Sequence, residues 1–177
     1  MASPRPRADG GLTMADVAPV LVAACGNAMA GDDAFGPAVA AALRRESPAH
    51  CQVIDLGMAP TALLDHLQGR AALIIVDAAE APDAGDDLME FDWDSPARPA
   101  LVRQEQLSTH GLSIAAQIEL ARAMGLLPEV VKLIAAPVGE AQLGRPMDAA
   151  ARLVERAAAR VRALAAELAR ASAGDVS

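Results

Sequence analysis

Blocks of aliphatic and β-branched residues recur along the chain, each closed by glycine, proline or acidic residues and followed by apolar positions at helical spacing. Residues 17–24 read as a buried strand, and Gly36-Pro37 followed by 38–45 as a helix with proline in its first turn. Residues 51–56 make a short second strand, and 60–67 a helix that ends before Gly69. The run 71–77 is apolar without interruption until Asp77, which predicts a third strand buried on both faces and ending on that aspartate. From 78 to 108 the periodicity loosens. Asp83-Ala84-Gly85-Asp86 is a turn, 88–93 alternates like an edge strand, and a proline-containing connection follows. Helical spacing returns over 112–124 and stops at Gly125, 130–135 is another strand, and 147–170 is a long, alanine-rich helix. Leu153, Val154, Val161, Leu164 and Leu168 form its inner face.

The βαβαβ alternation predicts an α/β fold: a single domain with a mostly parallel, twisted central sheet and helices on both faces. A chain of 177 residues suits one such domain, expected over 17–171, with 1–16 as a disordered extension and 172–177 as a disordered tail. The net charge is −8 and Lys132 is the sole lysine. Half of the arginines lie in the final helix beside glutamates or in the tails and the rest are scattered, so no basic stripe is apparent and nucleic acid is not expected as a partner. No segment is apolar enough for a membrane span, and 1–16 lacks the apolar core of a signal peptide. Cys25 and Cys51 have neither metal-type nor disulfide-framework spacing. A cytoplasmic protein is expected.

The chemistry gathers in three places. After the first strand the chain breaks into Gly26, Asn27, Gly31, Asp32, Asp33 and Gly36 before a helix begins. Strand, glycine loop and helix in that order put the acids at the carboxyl end of a strand, where open α/β sheets hold ligands. Central strands of a βαβ sheet end on one edge, so Asp33 and Asp77 can approach each other. His110 follows Ser108-Thr109 at a predicted helix start, where the positive end of the helix dipole keeps imidazole neutral and able to ligate. Two carboxylates and a neutral imidazole, with open positions, suit a divalent transition metal such as nickel or zinc. Each residue also has a plainer role open to it. Asp32 or Asp33 can cap the helix, Asp77 can accept hydrogen bonds from its own loop, and His110 can be a helix-start residue. His50 and His66 are assigned to structural roles, and Cys25 is read as a small buried hydrophobe. Glycines at 26, 31 and 36 do not make a dinucleotide fingerprint. No phosphate loop, His-Glu-x-x-His helix or Gly-x-Ser-x-Gly elbow is present.

These residues resemble a known family, the nickel–iron hydrogenase maturation proteases. The resemblance runs from 20 to 168 and rests on Gly26-Asn27 with Asp32-Asp33 and Gly36, on Leu73-Ile74-Ile75-Val76-Asp77-Ala78, and on Ser108-Thr109-His110-Gly111-Leu112. It implies an endopeptidase that removes the carboxyl-terminal extension of a nickel–iron hydrogenase large-subunit precursor after nickel insertion. It also implies that Asp33, Asp77 and His110 bind the metal that identifies a loaded substrate. Nickel then arrives with the client, and zinc or cadmium can substitute. Polarisation of the scissile carbonyl, activation of a bound water and general-base action by a carboxylate all stay open. The chain departs from the family where Ala24 replaces a common glycine, where Leu56-Gly57-Met58-Ala59-Pro60-Thr61 replaces a Gly-Gly-Thr stretch, and after the last strand, where Ala135-Ala136-Pro137-Val138-Gly139-Glu140 replaces Gly-Ile-Glu. Two alternatives stand beside it: a non-cleaving metal-binding scaffold or chaperone for the precursor, and a small-molecule hydrolase on a similar sheet.

Overall fold

The apolar block at 20–25 forms strand β1 (Val20–Cys25), every residue of which is excluded from solvent. A strand with two buried faces must lie inside a sheet covered on both sides. The structure, a computed structural model, describes residues 17–28, 34–81, 87–98, 113–138 and 147–174, and among them five strands pair in the order β2-β1-β3-β5-β4. β2 (Cys51–Gly57) and β3 (Ala72–Glu80) flank β1 in parallel, with Val20 beside both Cys51 and Ala72. β5 (Val130–Val138) runs parallel to β3, and β4 (Met89–Asp92) closes that edge antiparallel to β5. Met89 and Phe91 of β4 are half-buried while Glu90 and Asp92 are exposed, the alternation expected of an edge strand.

Strand alternation sends neighbouring residues into two separate cores. Val20, Val22, Ile74, Val76 and Ile134 pack under helices α1 (Phe35–Arg45) and α3 (Met147–Gly174). Leu21, Ala23, Ile75 and Leu133 pack on the other face, under a 3₁₀ helix (Pro60–His66) and helix α2 (Ile114–Ala123). The predicted inner face of α3 holds: Leu153, Val161 and Leu164 are buried, and Val154 and Leu168 pack against the same core partly covered. Arg162 of α3 donates to the carbonyls of Ala42 at 3.2 Å and Glu46 at 3.4 Å, supplying donors that the last turn of α1 lacks.

Several boundaries move. β3 continues past Asp77 to Glu80, and β5 past 135 to Val138, because Ala78 and Ala79 go on pairing with Ala136 and Pro137 beyond the end of β1. The helix predicted over 60–67 is a 3₁₀ helix. α2 is shorter than 112–124: Ser113, in extended backbone, caps it by accepting from Ala116 N at 3.2 Å. It stops as predicted at Gly125, whose φ of +68° suits glycine, with Gly125 N donating to Arg122 O and Leu126 N to Ala121 O. α3 runs on past 170 to Gly174.

At the amino edge of the sheet, Arg70 ties three segments together. It donates to His66 O at 2.9 Å, to Ala18 O at 2.6 Å and to the Gln52 side chain. Beside it, burial pushes the Cys51 thiol up from 9.0 to about 11, and the Arg70 charge opposes that rise. The folded thiol therefore keeps its proton at pH values where the unfolded chain has lost it. Stability from this group is complete below pH 9 and falls away as the pH rises toward about 11. In urea titrations at pH 8 and pH 11, wild type is expected to lose more stability than Cys51→Ala, and parallel losses would refute the assignment. A cavity of about 680 Å³ opens at this same edge, lined by Pro19, His50, Arg162, Ala166 and Arg170 among others, with no carboxylate among the described lining residues.

Candidate functional site

The connection after β1 leads through α1 to β2 on one side, while β3 lies on the other, so the strand order reverses between β1 and β3. The connections that leave two such strands run to opposite sides of the sheet and leave a crevice that open α/β sheets use for ligands. Asp77 stands there. It is one residue beyond the Ala24–Val76 pair and hence level with Cys25, the last residue of β1, and it is level with Ala135 of β5 on the other side. It is 1% exposed, and its Oδ1 accepts from Ala78 N at 2.8 Å. By alternation it shares the face of Leu73, Ile75 and Ala79, the face under α2. Burying a carboxylate opposes folding unless something compensates. An acid at the one point where the topology opens the sheet is therefore a candidate for chemistry. The bond from Ala78 comes from within β3 rather than from a loop, and it fixes the orientation of the carboxylate.

Two of the predicted loop glycines have specific geometric duties. A Cβ on Gly36 would stand 1.9 Å from the Cys25 carbonyl oxygen and 2.9 Å from that of Val76. The first turn of α1 thus rests directly on the ends of β1 and β3, and only glycine permits that approach. Gly26 has φ +125° and donates to Gly57 O at 3.3 Å, turning the chain out of β1 and tying it to the end of β2. Asn27 follows, half-buried. The loop that carries the acidic pair therefore leaves and re-enters the fold beside Asp77.

Asp32, Asp33 and His110 lie outside the described residues. Among the described residues no three His, Cys, Asp or Glu side chains gather as a metal site. Two expectations about their surroundings change. The N-cap position of α1 falls on Ala34, with no side-chain cap bond. α2 begins at Ile114, with Ser113 as its cap, two residues later than the expected start at 112. His50, in a turn with φ +59°, immediately precedes the amino end of β2, and His66 ends the 3₁₀ helix near Arg70, so neither is at the crevice. Cys25 is buried, as its structural reading requires.

One polar residue of this layer was not singled out from the sequence. Gln117 in α2 is 1% exposed, and with Asp77 it makes up the buried polar side chains among the described residues. Its signal was a glutamine on the apolar stripe Ile114, Ile118, Ala121.

An open, mostly parallel α/β sheet with a buried acid at its topological switch point defines a class of ligand-binding or hydrolytic domain. A family model narrows it: the model described as hydrogenase maturation protease matches residues 37–164, and the chain belongs to that family. It is a peptidase. The match contains Asp77 and His110 and begins after Asp33. Similar solved structures include the hydrogenase maturating endopeptidase HybD from Escherichia coli, 24% identical, with a TM-score of 0.64 over 84% of this chain and 92% of that one. An endopeptidase from Escherichia coli solved in solution is 25% identical, with a TM-score of 0.62 over 80% of this chain and 88% of that one. The [NiFe] hydrogenase maturation protease HybD from Thermococcus kodakarensis is 20% identical, with a TM-score of 0.62 over 82% and 98%. These likenesses are likenesses of fold. No curated protein matches the chain. Among the described residues no helix is long and apolar enough to cross a membrane.

Proposed function

We propose that this peptidase removes the carboxyl-terminal extension of a nickel–iron hydrogenase large-subunit precursor once nickel has been inserted. The observation that carries the reading is the buried Asp77 carboxylate at the β1/β3 crevice, in a chain of the hydrogenase maturation protease family. Nickel is part of the substrate here, brought by the client. Asp33, Asp77 and His110 recognise it, and zinc or cadmium can stand in for it. Their types supply two anionic oxygens and one imidazole nitrogen, a mixed set that binds borderline divalent ions and leaves positions for the client's own ligands. Engagement through these residues aligns the scissile peptide over the carboxyl edge of the sheet, and a cation held there polarises a carbonyl or acidifies a water.

The test is incubation of the purified protein with nickel-loaded and nickel-free precursor, followed by mass measurement of the large subunit. Shortening of the loaded form alone is expected. Binding without shortening would replace the protease reading with a scaffold. Equal shortening of both forms would remove the role of nickel.

A further inference from the structure

We propose that Gln117 is a positioning residue for Asp77, its amide N–H donating to the Asp77 carboxylate when the site engages a cation. The inference rests on the reading of Asp77 given above. Among the described residues, Asp77 and Gln117 are the two polar side chains withdrawn almost completely from water, each at 1% exposure. They belong to the same layer. Gln117 lies on the stripe Ile114, Gln117, Ile118, Ala121 that α2 turns toward the sheet, and Ile114, Ile118 and Ala121 pack in the core formed with Ile75, Ala79 and Ala135. Asp77 is on the strand between Ile75 and Ala79, on that same face, level with Ala135.

They also belong to the same end of the layer. α2 finishes at Ala123, a short turn before β5 starts at Val130, so its carboxyl end lies at the amino edge of the sheet and its amino end at the carboxyl edge. Gln117 is in the first half of that helix, and Asp77 is in the carboxyl half of β3.

The chemistry is complementary. A carboxylate only accepts, and the amide nitrogen of glutamine only donates. The Nε2 atom of Gln117 is buried and has no hydrogen-bond partner among the described residues. A buried donor without a partner lowers stability, and an aliphatic residue would fill this stripe without that penalty. At 1% exposure the amide is out of reach of solvent-borne groups, and among the described residues Asp77 is the buried acid of its layer. Carboxylates that engage cations are held by outer donors of this kind, which set their orientation.

The test compares wild type with Gln117→Met, a side chain of similar length without the donor, using the full-length protein. Three quantities are read: the melting temperature, the affinity for cadmium alone by calorimetry, and the rate of precursor shortening. The Gln117→Met protein is expected to melt at or above the wild-type temperature, while its cadmium affinity and its kcat/KM each fall about tenfold or more. A variant that unfolds or melts several degrees lower would overturn the proposal, since the amide would then be serving the fold. Unchanged cadmium affinity would overturn it equally. If wild type binds cadmium and shortens no precursor, the proposed function fails while the cadmium comparison still judges Gln117. A wild type that takes up no cadmium yet shortens the nickel-loaded precursor would overturn the proposal for Gln117 and leave the proposed function standing.

Discussion

Gly36→Ala is expected to destabilise the protein by more than about 3 kcal/mol, a large fraction of the about 5–15 kcal/mol that an ordinary domain holds in reserve. On helix propensity alone the sign would be opposite, because alanine is better than glycine inside a helix by about 1 kcal/mol. The geometry decides otherwise. The added methyl carbon would lie 1.9 Å from the Cys25 carbonyl oxygen and 2.9 Å from that of Val76, and both are backbone atoms of buried strands that no side-chain rotation can move. Relief requires α1 to lift off β1 and β3, which opens the core formed by Phe35, Val39 and Leu43 with Val20, Val22 and Val76. Gly125→Ala is the control. It has φ +68° with nothing within 4 Å, so its cost is the left-handed backbone strain alone, about 1–2 kcal/mol. Urea unfolding of both variants checks the prediction, and a Gly36→Ala protein as stable as Gly125→Ala would contradict it.

That contact shows what a sequence pattern can and cannot convey. The strands were readable because runs such as Leu73-Ile74-Ile75-Val76 are excluded from water on both faces and tolerate no polar interruption. Their parallel pairing followed from the helices between them. The end of β3 was misjudged because Asp77 looks like a stop, whereas the ladder with β5 carries the strand three residues further. The start of α2 was misjudged because Ser108-Thr109 and Ser113 are equally good caps by composition. In the structure Ser113 holds the extended conformation and the bond to Ala116 that make it the cap of α2. Gly36 could be singled out as part of a site loop, but its duty as a seat for the helix depends on atoms of two other strands. Gln117 is not legible in the sequence because a single polar residue does not disturb helical spacing. Its meaning appears only when α2 is laid against the strand that bears Asp77.

Asp77→Asn is expected to slow precursor shortening at least about a hundredfold while the fold survives. Loss of an outer partner of a metal-engaging residue costs about 10–100-fold, and a residue that itself faces the cation should cost no less than the upper end of that range. Asparagine is the informative substitution. It keeps the shape of the side chain and an oxygen able to accept from Ala78 N, which the carboxylate does now at 2.8 Å, and removes only the charge. Asp77→Ala would confuse the result, because it strands that buried N–H at a cost of about 1–3 kcal/mol. Asp77 is 1% exposed and its bond from Ala78 N is one that asparagine keeps, so the Asp77→Asn protein is expected to stay folded, with thermal melting as the check. Stability unchanged or gained together with activity lost separates a site residue from a structural one. His110→Ala, tested in parallel, should lose shortening to a similar degree if it shares the cation with Asp77. Wild type and both variants are measured against the same nickel-loaded precursor, so that differences in the client cannot account for the outcome. Wild-type rates in folded Asp77→Asn would mean that the buried acid at the β1/β3 crevice takes no part in the reaction.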